Sequence, residues 1–415
     1  MKIKFLAVLA VYVFCFFSCE KKNDSAYKEY LVAKPLKITK TAFNKGVDVS
    51  PPVPITESGK IYAYEDYIFI NDTYKGVHVI DNRNPSSPQK IAFIKIPGNV
   101  DISVKDNYLY ADSLTDLMVL DISDLNNITL VDRLQNVLGS SIIWPVDVDF
   151  FEYGEVDYEN ELIVGWETVT EKRLVEEYEN RFNTGDSEVL FSMESTAASV
   201  GQGGSLARFK IVDNYLYAVD SHTINIFNIT DLGSPKDLED VFAGFDIETI
   251  FNRGKHLFLG SMRGMYIYDI SQPDTPTFVS EFQHGTACDP VVVDGDYAYV
   301  TLRGGNACGA TESGLYIVDI SDITNPVLAE TYPLEGPYGL GIKDEKLFVC
   351  DGEAGLKVYD KTDIANLKSL DHFKNQITFD VIPLENQLLL VGNQVLYQYQ
   401  YLDNTIKLIS TLALQ

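Results

Sequence analysis

The stretch richest in reactive side chains is HGTACDPVVVDGDYAYVTLRGGNACG, residues 284–309. It brings His284, Cys288, Asp289, Arg303 and Cys308 into one short segment. An imidazole, a carboxylate and a guanidinium suit acid–base chemistry or the clamping of an anion. Hydrogen bonding that merely stabilises a loop is the alternative use of the same trio. Cys288 and Cys308 suit a disulfide if the chain occupies an oxidising compartment, and two separate thiols otherwise. The remaining histidines, His78, His222, His256 and His372, are scattered and form no cluster. No C-x-x-C or His/Cys ligand spacing points to structural zinc. Neither a G-x-S-x-G elbow nor a G-x-G-x-x-G loop occurs.

What positions these groups is a repeat. An apolar alternating run followed by an Asp-containing turn recurs as VHVIDNRNPSSP, LMVLDISDLNN, INIFNITDLGSP, MYIYDISQPDTP, LYIVDISDITNP, LKVYDKTDIAN and a worn LYQYQYLDN. The marker positions are Asp81, Asp121, Asn228, Asp269, Asp319, Asp360 and Gln400, at spacings of 40, 107, 41, 50, 41 and 40. Each unit reads as four strands: an inner run, a short second strand, the marker strand after a loop, and a final strand. Period-2 alternation of Val, Ile, Tyr and Phe supports strands. Gly76, Gly264, Gly314 and Gly355 before the marker strand suit positive φ, and the Asp, Asn and Pro after it suit turns. Four-stranded units of about 40–45 residues arranged radially predict an all-β fold, a β-propeller. LYIVDISDITNP and MYIYDISQPDTP resemble the LVIVD repeat of exported bacterial proteins. The resemblance covers 59–415, implies a propeller and implies no particular activity.

Residues 138–204 depart from the pattern. WPVDVDF reads as an inner strand and ELIVGW as a second strand, while TEKRLVEEYE suits a strand or a short helix. Eight blades, one degenerate, is the favoured count, with seven plus an insertion as the alternative. Trp144 and Trp166 flank this unit and suit either core packing or stacking on a sugar.

In a propeller the loop before each inner strand and the loop between the second and third strands open on one face, where loops carry function on a rigid scaffold. Aligned there, the units give Lys60, Asp101, Arg208, Glu248, Asp289, Gly339 and Asp380, with Asp147 or Asp149 from the degenerate unit. The ligand-binding rim is thus expected at Asp101, Arg208, Glu248, Asp289 and Asp380. Such a mouth suits a cationic or sugar-like ligand, or a divalent cation held by carboxylates. No D-x-[DN]-x-[DN]-G loop supports calcium, and no resident metal or cofactor is expected. The alternative is that these groups pair with one another.

The N-terminus reads as an address. Lys2 and Lys4 precede the apolar run Phe5–Phe17, which is short for a membrane span and fits an export signal. The run ends FFSC and resembles a bacterial lipobox, with Phe16 where Leu is usual. That resemblance implies cleavage before Cys19 and its acylation. Residues 1–18 are then a lipoprotein signal peptide, 19–58 a lipid-anchored tether and 59–415 the propeller. The expected location is the bacterial envelope at the outer membrane, periplasmic or surface side. The 33 basic against 60 acidic residues give a charge of −27, which excludes a nucleic-acid partner. Cys350, in LFVCD, reads as a small buried apolar residue. The function expected is a non-catalytic scaffold that binds an envelope protein or glycan at one rim. The rival is a hydrolase or lyase using His284, Asp289 and Arg303.

Overall fold

The computed structural model describes residues 27–139, 142, 145, 148–154, 156–175, 178, 204–287, 290–304 and 312–415. Among the described residues, seven sheets of four or five strands each come from one continuous stretch: 58–95, 102–134, 209–242, 247–283, 291–333, 340–373 and 378–413, here blades 1–7. Every blade is an antiparallel meander whose strands neighbour each other in sequence order. Blade 1 adds the strand Asp48–Ser50 outside its own four. The inner strands Ser58–Tyr64, Ile102–Lys105, Phe209–Val212, Ile247–Arg253, Val291–Asp294, Leu340–Lys343 and Thr378–Pro383 touch in that order, and the last touches the first. The ring is closed.

The apolar residues of the repeat end up between blades. Seven buried clusters lie at the seven blade-to-blade interfaces, among them one that holds Leu109 and Phe69, one that holds Ala218 and Tyr110, and one that holds Leu389 and Ile70. No blade could bury both of its faces alone, so the ring forms as one body. Among the described residues no strand is exchanged between blades 7 and 1. The seam is held by the Ile55 N–H on the Leu414 carbonyl at 2.8 Å, by Gln398 on Asn82 at 2.7 Å and by Ser410 Oγ on the Pro85 carbonyl at 2.6 Å. Tyrosine hydroxyls staple other neighbours: Tyr110 donates to Leu232 O at 2.9 Å and Tyr217 to Pro273 O at 2.7 Å.

The eighth sheet is the unit expected between 138 and 204, and it stands outside the ring. It has three strands, with Tyr27–Thr39 in the centre, Phe150–Phe151 parallel to it on one side and Glu161–Leu174 antiparallel on the other. The segment could not complete a blade by itself, so its partner comes from the region expected to be a tether. Residues 27–50 are therefore folded rather than linking: the alternation in EYLVAKPLKI makes the strand, and Lys40–Phe43 forms one helical turn. Arg133 seats that turn, lying 4.4 Å over the Phe43 ring and donating to the Phe43 carbonyl at 2.8 Å while pairing with Asp116 at 2.7 Å. TEKRL falls within the strand Glu161–Leu174.

The marker Asp has a physical role. Its carboxylate accepts the backbone N–H two residues on, in Asp81 (3.0 Å), Asp121 (2.8 Å), Asp319 (2.8 Å) and Asp360 (3.0 Å), and Asn228 does the same (2.9 Å). Such turns reverse the chain between the third and fourth strands. The side chain of the Ser or Thr two residues on, and then its N–H, hold Asp121, Asp269, Asp319 and Asp360 below the usual carboxylate range. A depressed folded pKa contributes stability that is complete above the unfolded value of about 3.9 and is lost as pH falls through the folded values. Burial raises Asp112, which works in the opposite sense. Replacing Asp121, Asp269, Asp319 and Asp360 together by Asn keeps the acceptors. It is expected to flatten the fall in melting temperature below about pH 4. An unchanged pH profile would contradict this role.

Candidate binding rim

The loops before each inner strand and those between second and third strands lie on one face, as the meander requires. At the channel mouth on that face the aligned positions of blades 1–3 pair with each other. Lys60 Nζ donates to Asp101 Oδ2 at 3.0 Å and to the Leu206 carbonyl at 3.2 Å. The Arg208 N–H donates to the same Asp101 oxygen at 2.8 Å, and Arg208 Nε to the Val219 carbonyl at 3.2 Å. Burial draws the Lys60 pKa down, with Asp101 opposing it. Asp112 Oδ1 accepts the Val100 and Asp101 N–H groups at 2.7 and 2.9 Å, and Asn99 Nδ2 at 2.8 Å. A shallow recess lies beside Arg208, Asp112, Asp220 and Asn225.

The mouth is crossed by residues 204–207. The Ser205 hydroxyl accepts the Leu340 N–H of blade 6 at 2.9 Å, the Leu206 carbonyl accepts Lys60 of blade 1, and the Ala207 carbonyl accepts the Ile250 N–H of blade 4 at 2.5 Å. Asp380 of blade 7 is fully buried, its carboxylate lying between Gly204 and Gly339. A Cβ on these glycines would stand 1.9 and 2.2 Å from its oxygens. Residues 204–207 thus form a plug. Glu248 is half-buried in the inner strand of blade 4. Asp149 sits in the added sheet, accepting the Leu31 N–H at 2.7 Å. Asp147, Asp289, Cys288, Cys308 and Trp144 lie outside the described residues, so the proposed disulfide and the Asp289 positions in both the rim and the trio do too.

His284 and Arg303 are held by different neighbours. The His284 ring contacts the Gly285 carbonyl and packs near Phe282 at 6.4 Å, while the Arg303 guanidinium lies 4.1 Å over Tyr338. Cys350 is buried, and burial pushes its thiol well up. Trp166 is buried beneath Phe151 and Tyr153. Among the described residues no three His, Cys, Asp or Glu side chains converge as a metal site.

The added sheet meets the face at blade 1, with Gly165 against Tyr74, and the helical turn Lys40–Phe43 seats on Arg133 of blade 2. Over blades 3 and 4 the face carries an aromatic group that the column of charges did not anticipate. Phe242 is 64% and Phe245 50% exposed, with rings 5.5 Å apart. His222 stands edge-on to Phe245 at 5.4 Å, and Arg263 lies 5.6 Å over Phe245 while bonding Asp246 at 2.8 Å. The signal in the sequence was VFAGFD, one phenylalanine at the end of blade 3 and a second in the loop that follows.

The LVIVD repeat model matches residues 56–92, 98–135 and 284–333, which are blades 1, 2 and 5 with their entrance loops. A comparison with curated proteins gives no match. Among solved structures, the chain is similar to Sqt1 of Saccharomyces cerevisiae (8% identity, 86% of each chain covered, TM-score 0.52). It is similar to BamB from Moraxella catarrhalis (9%, 90% of this chain and 99% of that one, 0.50). It is also similar to the periplasmic gluconolactonase PpgL of Pseudomonas aeruginosa (9%, 86% and 95%, 0.50). At these identities the likeness speaks for the fold alone.

Proposed function

We propose that this LVIVD-repeat β-propeller is a lipid-anchored, non-catalytic scaffold of the bacterial envelope that binds a protein on the uncovered arc of its rim. The observation that carries the reading is the exposed pair Phe242 and Phe245, backed by His222 and Arg263 on the face where propeller loops converge. Aromatic and arginine side chains are the usual anchors of protein interfaces. Lys60, Asp101 and Arg208 of the mouth are engaged with each other and, through Leu206, with the plug, which favours the rim as the surface for recognition. A glycan is the alternative ligand. The hydrolase or lyase reading at His284, Asp289 and Arg303 gains nothing from shared fold, since propellers host many functions.

Two variants test this reading in the full-length protein. Phe242→Ser with Phe245→Ser is expected to lower recovery of the partner cross-linked in native envelopes by about 30-fold, the value of one interface hot spot of about 2 kcal/mol. Equal recovery would remove the rim from the account. Cys19→Ala is expected to abolish lipid labelling and release the protein from membranes, and unchanged labelling would end the anchoring claim.

A further inference from the structure

The first described strand starts at Tyr27, eight residues after Cys19. Eight residues reach at most about 29 Å when fully extended. The three-stranded sheet built on Tyr27–Thr39 is then the part of the body that acyl chains on Cys19 hold closest to a bilayer. The inference rests on that acylation.

Cross-strand partners share a face of a sheet, so the register sorts this one into two unlike surfaces. One face carries Lys34, Glu152, Glu171 and Arg173 in ion pairs, with Arg173 4.7 Å over Phe150. On the other, Tyr27, Leu31 and Phe151 stand 57%, 40% and 37% exposed, the last aligned with Ala33, and they share the face with an exposed ion pair, Glu29 and Lys172 at 3.8 Å. Tyr153, 49% exposed, stacks on Phe151 at 6.3 Å, and both stand edge-on to the buried Trp166 at 5.7 and 5.5 Å. Rings with a polar tip suit the boundary between headgroups and acyl chains. The chain carries −27, yet residues 20–31 balance Lys21, Lys22 and Lys28 against Glu20, Asp24 and Glu29. Residues 150–174 hold seven acids against two bases, so the contact suits a bilayer of neutral headgroups rather than an anionic one.

We infer that this face rests on the lipid bilayer, with Tyr27, Leu31, Phe151 and Tyr153 at the interface. The sheet is a second membrane contact beside the acyl chains. One anchored point leaves a body free to tumble, whereas a point and a face fix its attitude. Two weak attachments also hold better than either alone.

The test places a benzophenone amino acid at Leu31, at Tyr153 or, as a control on the opposite end of the blades, at Val327. The acylated full-length chain is incorporated into phosphatidylcholine vesicles, irradiated, and examined by mass spectrometry for lipid adducts. Yields at Leu31 and Tyr153 at least tenfold above Val327 are expected. Chain that floats with vesicles but gives equal yields at all three positions would overturn the facial contact and leave the anchor standing. Chain that does not float would overturn the anchor, and this inference with it.

Discussion

Asp101→Ala is expected to lower the unfolding free energy by about 3–5 kcal/mol, because it leaves a buried ammonium without its counter-charge. The Lys60 side chain is 4% exposed and Asp101 fully buried, so water cannot replace the lost carboxylate. The same change orphans the Arg208 N–H at the start of blade 3. The loss comes from breaking the pair rather than from the worth of the pair. Lys60→Met combined with Asp101→Leu should therefore recover most of it, since an apolar pair of similar volume carries no stranded charge. Urea unfolding monitored by tyrosine and tryptophan fluorescence measures both. A loss below about 1 kcal/mol for Asp101→Ala would mean the pair is hydrated and the mouth is open.

The second large effect is expected at the glycine before the marker strand. Gly355 has φ +91°, and a Cβ there would lie 2.0 Å from the Phe373 carbonyl oxygen of the neighbouring outer strand. Gly76, at φ +143°, would meet the Ile94 carbonyl at 2.1 Å. A backbone oxygen cannot rotate aside as a side chain can. Gly355→Ala combines left-handed strain with overpacking, together about 3 kcal/mol or more. Gly254 is the internal control. It has φ +57° in a hairpin turn with nothing within 4 Å, so Gly254→Ala should cost only the conformational part, about 1 kcal/mol. Similar losses at Gly355 and Gly254 would show that strain alone acts and that the close approach is unimportant.

These two sites also show what the sequence made legible. The repeat announced itself through Asp81, Asp121, Asp319 and Asp360 because a turn between adjacent strands is a local event, solved by one carboxylate and one nearby N–H. Gly76 and Gly355 follow the same logic. Gly314 does so only in part: it has no positive φ, and its constraint is the Tyr332 carbonyl, 3.0 Å from where a Cβ would be. Aligning the units on their period placed Lys60, Asp101 and Arg208 together correctly, since equal positions in successive blades must converge at the axis.

Non-local facts were not legible. Tyr27–Thr39 pairs with Glu161–Leu174 more than a hundred residues away, and alternation in either segment names no partner. That one pairing explains why 27–50 is not a linker and why the degenerate unit is a three-stranded sheet outside the ring. The plug at Gly204–Ala207 was hidden for a similar reason. Glycine reads as looseness, although Gly204 faces the Asp380 carboxylate with no room for a Cβ, and Ser205–Ala207 read as the start of an inner strand. The rim aromatics were overlooked because attention to charge passes over phenylalanine in a loop.

The central claim is that recognition occurs on the uncovered rim arc and not in the plugged mouth. Hydrogen–deuterium exchange on the full-length chain, with and without the partner captured from native envelopes, tests it most directly. The account predicts slowed exchange at the amides of 242–246 and 262–263, with 99–101 and 204–208 unchanged. Protection confined to 99–101 and 204–208, with the Phe242–Phe245 loop unaffected, would contradict it.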